Sequence, residues 1–163
     1  MTSPIERSDL AQLLPPEFRG NLGFLLNSAR RALVAEIDAV MDGDLSIRHF
    51  AILSVLHHRG GLRQTDIAGV IGIDRTTTMK IVDELERAGM LRRTPHADDR
   101  RANALDLTSK GRSWREKMLP RIAEQESTFL DSLSQGERTL LQELLLRLVT
   151  ASFDRSHANH HQT

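Results

Sequence analysis

Apolar residues recur every three or four positions in the first sixty residues, and this spacing predicts two helices. The first runs from Phe18 to about Met41 with its apolar residues on one face, and the Asp42-Gly43-Asp44 turn ends it. The second begins after the capping residue Ser46 and stops at Gly60-Gly61. Because its apolar residues lie almost all round, we expect this second helix to be buried.

Two shorter helices separated by a tight turn follow. The first is predicted from about Gln64 to Val70 or Ile71, and Gly72 supplies the turn. The second is predicted from its N-cap Asp74 to Arg87. This pattern is typical of a helix-turn-helix, whose second helix can enter the major groove of DNA.

Alternation with a period of two residues follows the helix-turn-helix. Leu91-Arg92-Arg93-Thr94 is a short strand candidate, the segment 95–99 is rich in turn residues, and alternation at Asn103, Leu105 and Leu107 predicts a second strand. Two strands joined by a loop that carries arginines form a β-hairpin. A hairpin directly after a helix-turn-helix is a wing.

The last third of the chain predicts two more helices. A long helix starts at its cap Thr108, is weakened by Gly111, is bent at Pro120 and reaches about Ser132. The Ser134-Gln135-Gly136-Glu137 capping box opens a leucine-rich last helix, and the tail from His157 has no apolar period. We therefore predict a mainly α fold with a small β-wing.

Composition narrows the function classes. The whole chain has 22 basic and 22 acidic residues, but residues 61–115 have 11 against 8, so the predicted helix-turn-helix and wing are the basic part. The absence of cysteine excludes disulfides and thiolate chemistry. No apolar run approaches the roughly 18 residues of a membrane span, and the first nine residues lack a signal-peptide core, so we expect a cytoplasmic protein.

The order of elements closely resembles that of the multiple-antibiotic-resistance regulator (MarR) family of transcription factors. Three stretches carry the resemblance: 64–73 (QTDIAGVIGI), 85–93 (LERAGMLRR) and 99–111 (DRRANALDLTSKG). The third looks like the wing signature of the family, an Asp-x-Arg followed by Leu-x-Leu-Thr and a nearby glycine. Two departures are Arg63, where a small capping residue is common, and Thr78, where an apolar residue usually packs.

The resemblance implies a winged helix-turn-helix with N- and C-terminal dimerisation helices. The expected divisions are a tail and helix entry (1–17), a dimerisation helix (18–45), the winged DNA-binding domain (46–110), a C-terminal linker and dimerisation helices (111–155) and a disordered tail (156–163). The excess of apolar surface on the terminal helices favours a homodimer. From composition alone, a helical bundle within one chain stays open.

DNA-binding residues are predicted both on the second helix of the helix-turn-helix and in the wing loop. Arg75, Thr76, Thr77 and Lys80 lie at the start of the second helix, where hydroxyls and cations reach phosphates and base edges of a double-stranded operator. Arg100 and Arg101 lie in the wing loop. The resemblance implies that Arg101 enters the minor groove, where guanidinium groups bind well, while Asp99 holds it in place.

Family members commonly bind a small aromatic or anionic effector between the dimer helices and the winged domain. The candidate contacts here are Arg30, His49, Phe50, Trp114 and Met118. Phe50, Trp114 and Met118 are more often core residues, however, and His49 is more often a satisfied polar residue. We expect a ligand-responsive repressor without a cofactor. We also expect no metal site, because the adjacent His57 and His58 point to different faces of a helix and the tail histidines could bind a metal only loosely.

Two other function classes are less consistent with the sequence. An enzyme is disfavoured because no nucleophile elbow, phosphate-binding glycine loop or His-Glu-x-x-His pair occurs. A winged-helix adaptor that binds protein without touching DNA is the alternative. An adaptor has no need of the Asp99-x-Arg101 pair or of a cationic start to the second helix.

Overall fold

The computed structural model describes residues 14–95 and 103–160, and its side-chain description ends at Ser152. Helices α1 (Pro16–Arg19), α2 (Leu22–Asp38) and α3 (Ile47–His58) precede strand β1 (Leu62–Arg63). Helices α4 (Gln64–Ile71) and α5 (Arg75–Arg87) form the helix-turn-helix, and strands β2 (Leu91–Pro95) and β3 (Asn103–Leu107) form the wing. Helices α6 (Ser109–Phe129) and α7 (Gln135–His160) complete the described chain. The predicted winged helix-turn-helix is confirmed.

The three strands form one antiparallel sheet in the order β1-β3-β2. Strand β3 is central, with Leu105 opposite both Leu62 of β1 and Arg93 of β2. Strand β1 was missed in the sequence because two residues show no alternation. Its pairing depends on β3, which lies about forty residues further along the chain.

The chain divides into two compact units, and the division falls within α6 between Gln125 and Glu126. The core of the first unit joins the helix-turn-helix to the sheet and to the start of α6. Its most deeply buried residues are Ile52, Leu53, Ile67, Val82, Leu85, Leu91, Leu105 and Met118. The recognition helix α5 is therefore fixed by contacts along its whole inner face.

Gly111 has a packing role that the sequence did not indicate. It was expected only to weaken the helix, but a Cβ built there would lie 2.1 Å from the Met90 carbonyl oxygen. The predicted cap at Thr108 is present, since the Thr108 hydroxyl oxygen accepts the Gly111 N–H at 3.2 Å. The same hydroxyl donates to backbone carbonyls at Gly89 and Met90. Glycine therefore allows α6 to start directly against the end of the recognition helix.

Three predicted boundaries differ in the structure. The first helix is split, because Asn21 begins a new helix by accepting the Phe24 N–H at 2.8 Å, and it ends at Asp38. The long helix stops at Phe129 rather than Ser132. Helix α7 continues to His160, whereas a disordered tail was expected from residue 156. Neither proline nor glycine occurs in its last residues to stop the helix.

Candidate DNA-binding surface

The start of the recognition helix α5 is fixed by a side-chain cap. Asp74 accepts the Thr77 N–H at 2.9 Å and the Thr77 hydroxyl at 2.6 Å. The hydrogen bond from the Thr77 hydroxyl, followed by that from its backbone, lowers the pKa of Asp74, so the capping carboxylate stays ionised. While this cap persists, the Thr77 hydroxyl proton is not available to a phosphate, although the sequence predicted a DNA contact there.

The two sides of α5 differ sharply in burial. Thr78, Ile81, Val82 and Leu85 are buried on the inner side. The outer side presents exposed Arg75, Thr76 and Lys80, three of the four residues predicted for DNA contact on this helix. The Lys80 side chain is 76% exposed. The structure thus brings these three residues to one solvent-facing surface.

Thr78 stands at the position where an apolar residue usually packs in the family. The structure buries it to 1% exposure, and its hydroxyl donates to the Asp74 carbonyl oxygen at 3.0 Å. The buried hydroxyl is therefore satisfied within its own helix. The other departure, Arg63, precedes α4, where the Asp66 carboxylate accepts its N–H at 3.1 Å. This is the half of a capping box in which the N3 side chain satisfies the N-cap N–H, while an arginine side chain has no acceptor with which to make the other half.

The wing is tied to the recognition helix by an ion-pair cluster. Arg93 of β2 contacts both Asp83 and Glu86 of α5. Hydrogen bonding to Asp83 raises the pKa of Arg93 above its usual value. This cluster fixes β2 against α5. The loop residues Asp99, Arg100 and Arg101 lie outside the described residues, so their predicted roles stay predictions.

A cleft lined by arginines lies between the helix-turn-helix and β3. Arg63, Arg75 and Arg93 line it together with the polar side chains of Gln64, Thr65 and Asn103. Guanidinium, hydroxyl and amide groups are the usual donors to DNA phosphates. Of these six residues, only Arg75 was predicted for DNA contact.

His49, a predicted effector residue, is instead engaged at both ring nitrogens. Its Nδ1 accepts the Ser46 N–H at 3.1 Å, and its Nε2 lies 3.0 Å from Glu84 Oε2 on α5. These partners fit the neutral tautomer with the proton on Nε2. Glu84 also lies 3.9 Å from the Lys80 ammonium. No local pattern indicates the His49–Glu84 contact, since the two residues are 35 positions apart.

The other predicted effector residues differ in their surroundings. Met118 is fully buried, and Trp114 is 9% exposed with an indole N–H that finds no hydrogen-bond partner among the described residues. Phe50 is half-buried beneath the Arg115 guanidinium, 5.9 Å from the ring centroid. Arg30 is exposed on α2 and donates to Asn27 at 3.3 Å. Of these residues, Trp114 is the one whose buried polar group lacks a hydrogen-bond acceptor among the described residues, and a ligand could supply that acceptor.

The residues that the structure describes contain no group of three or more histidine and acidic side chains able to hold a metal ion. None of their helices is long and apolar enough to cross a membrane.

A capped helix-turn-helix followed by a two-stranded wing defines the winged helix-turn-helix class of DNA-binding proteins. The MarR family model matches residues 45–102. A putative transcriptional regulatory protein for the hcr operon of Thauera aromatica is 29% identical over 143 residues, which cover 86% of each chain. Over these residues the chain is similar to the MarR family, and the similar proteins named here are described as transcriptional regulators.

Two solved structures are similar over most of their length. The transcriptional repressor CouR of Rhodococcus jostii RHA1, bound to a 23-mer DNA duplex, is 28% identical with a TM-score of 0.74. The match covers 84% of this chain and 98% of CouR. BpsR of Bordetella bronchiseptica, whose DNA binding is regulated by 6-hydroxynicotinic acid, is 25% identical with a TM-score of 0.73. That match covers 84% of this chain and 99% of BpsR.

Proposed function

We propose that this protein is a repressor that binds a pseudo-palindromic DNA operator as a homodimer. The observation that carries the proposal is the outer face of α5, where Arg75, Thr76 and Lys80 are exposed beside a fixed helix start. The positive end of the helix dipole adds to the attraction for phosphate. CouR, a DNA-bound repressor of the same fold, supports both the binding and the sign of regulation.

The wing supplies the second contact of each half-site. Arg101 enters the minor groove beside the recognition helix, Arg100 adds positive charge there, and Asp99 limits the motion of Arg101. The ion pairs from Arg93 to α5 support this role, because they hold the base of the wing close to the recognition helix. The similar regulators named above come from bacteria, where operator DNA lies in the cytoplasm, and by analogy this protein acts in the cytoplasm.

The homodimer is formed by the terminal helices, within residues 18–45 and 111–155. In α7, apolar side chains that would normally be buried are exposed in the single chain: Leu140, Leu141, Leu144, Leu145, Leu146, Leu148 and Val149. Leu22, Leu25 and Leu26 of α2 are exposed as well. A second copy of the chain is the partner that covers both surfaces, since symmetry then places two recognition helices on one face of DNA.

A small aromatic acid releases the protein from DNA by binding near Trp114 and Phe50. Phe50, which is half-buried, offers an apolar contact, and a local opening of the core would expose the unpartnered Trp114 N–H as a donor and Met118 as a further apolar contact. Arg30 supplies positive charge from α2. His49 takes part through its bond to Glu84 on the recognition helix. The regulation of BpsR by 6-hydroxynicotinic acid supports this ligand class.

Selection of bound duplexes from random DNA tests the proposal directly. We expect a pseudo-palindrome whose half-sites lie about one helical turn apart, and an affinity that falls steeply as salt rises. A mobility shift with the selected duplex and a panel of aromatic acids then identifies the effector. Failure to enrich any sequence, with binding insensitive to salt, would refute the proposed DNA binding and favour a protein-binding adaptor.

A further inference from the structure

Met79 is an apolar residue on the outer face of the recognition helix. It lies three and four residues after Thr76 and Arg75, and it is adjacent to Lys80. Its exposure is 48%, whereas its neighbour Thr78 is buried. Residues three and four apart share a helix face, so Met79 lies within the cationic surface described above.

The inner face of α5 does not need this side chain. Ile81, Val82 and Leu85 already join the core, and Met79 is not among the residues packed against it. A single exposed apolar residue is ordinary on a protein surface. The position of Met79, between the side chains that would meet phosphates and base edges, points to a role in recognition.

The major groove presents one apolar group on its base edges, the 5-methyl group of thymine. Methionine is unbranched and polarisable, so it adapts to such a small apolar partner. We propose that Met79 is a specificity-determining residue, which packs against a thymine methyl group in each half-site. This inference rests on the proposed DNA binding and extends it to the base that is read.

The charges around Met79 are consistent with this contact. Arg75 and Lys80 carry positive charge on the same face, which brings the phosphates close. Asp83, the next outward residue after Lys80, would repel phosphates, but it is paired with Arg93. The start of α5, from Arg75 to Lys80, is therefore the part that approaches the bases, as the first turns of a recognition helix do in this class of protein.

Replacing thymine with deoxyuridine tests the contact because it removes only the methyl group. The probes are duplexes recovered from a random library with the full-length chain, resynthesised with deoxyuridine at one thymine at a time. We expect the wild-type protein to lose about fourfold in affinity at one thymine of each half-site, the effect of one buried methyl group. The Met79→Ala variant should bind the thymine and deoxyuridine duplexes equally at that position.

Two further variants sharpen the test. Met79→Gln keeps the length of the side chain but loses its apolar end, and it should also lose the discrimination. Val70→Ala removes an equally exposed apolar side chain from α4, outside the proposed reading face, and should keep it. Thermal unfolding of each variant, expected to match the wild type, excludes an effect of misfolding.

The outcomes separate this inference from the proposed function. A wild-type protein that binds its selected duplex but is indifferent to every deoxyuridine would overturn the role of Met79 and leave DNA binding intact. Unchanged discrimination in Met79→Ala would likewise overturn it, since another residue would then contact the methyl group. A wild-type protein that selects no duplex would overturn both.

Discussion

The recognition helix α5 and the terminal helix α7 differ in how they place their apolar side chains. Helix α5 buries Ile81, Val82 and Leu85 inside its own unit and turns charged and polar groups outward. Helix α7 leaves leucines exposed on more than one face. Helix α5 thus satisfies its apolar face within the first compact unit (residues 1–125, the winged unit), whereas α7 exposes an apolar surface that a second copy of the chain would cover in the proposed dimer.

Charged substitutions on α7 give the largest expected effect. Leu144 and Leu148 lie on one face, four residues apart, and both are exposed in the single chain. In the proposed dimer, replacing both with glutamate buries two charges per chain and separates the copies. Because one dimer makes two linked operator contacts, we expect operator affinity to fall about 100-fold or more. Sedimentation should give the mass of a monomer.

Glu143→Gln is the matched control for these leucines. It changes an exposed residue of the same helix without adding charge, and we expect it to stay dimeric. Truncation before Ser134 should give a monomeric or unfolded chain. If the Leu144→Glu/Leu148→Glu variant sediments as a dimer, α7 is not the interface and the contrast with α5 has another cause.

Gly111→Ala tests the opposite claim, that the winged unit is tightly packed within itself. The added Cβ would meet the Met90 carbonyl oxygen, which is backbone and cannot move aside like a flexible side chain. We expect a loss of about 3 kcal/mol in the free energy of unfolding, the upper part of the range for overpacking. Chemical denaturation followed by circular dichroism measures it.

Gly69→Ala in α4 is the control for this substitution. A Cβ at Gly69 meets nothing within 4 Å, so alanine should stabilise the helix by about 0.5–1 kcal/mol. Equal effects at the two glycines would show that helix propensity alone decides, and that the close approach at Met90 does not matter.

Gly111 also shows where prediction from sequence stops. The helices, the turn at Gly72 and the wing strands follow from local periodicity and from capping or turn residues, and all of them are present. The close approach of Gly111 to Met90, the β1–β3 pairing and the His49–Glu84 bond depend on residues far apart in the chain. No local pattern encodes such contacts.

The residues of the candidate site likewise fall into two groups, those that a local pattern predicts and those whose contacts depend on the fold. Arg75, Thr76 and Lys80 were predictable because a polar stripe at helical spacing must lie opposite the apolar one. The cap at Asp74 was predicted and is present, but the additional bond from the Thr77 hydroxyl and the ion pairs of Arg93 were not anticipated. For these residues the chemistry was visible in the sequence, but the choice among several partners was made by the fold.

Arg101→Ala tests the DNA-binding role of the wing independently of the packing of the winged unit. Removal of a wing guanidinium should weaken operator binding by about 1–3 kcal/mol and leave the dimer and its stability unchanged. Titrations by mobility shift at several salt concentrations measure the loss. Arg48→Ala, an exposed arginine on α3, removes the same charge elsewhere and should have a much smaller effect. Equal losses in the two variants would indicate an effect of net charge and count against the assigned role of the wing.

The smallest expected effect is the pH dependence of a contact that joins the α2–α3 loop to α6. Hydrogen bonds from Lys117 at 2.7 Å and Arg121 at 2.8 Å lower the pKa of Asp42 below its usual value of 3.8. Because the folded pKa lies below that of the unfolded chain, this stabilisation is present above the unfolded pKa and is lost as the pH falls through the folded one. The melting temperature of Asp42→Asn should therefore change less than that of the wild type between about pH 6 and pH 2. Asp44→Asn, in the same loop but without an ion pair to any described residue, should follow the wild type. Parallel melting curves for Asp42→Asn and the wild type would mean that these two hydrogen bonds add nothing to the stability of the winged unit.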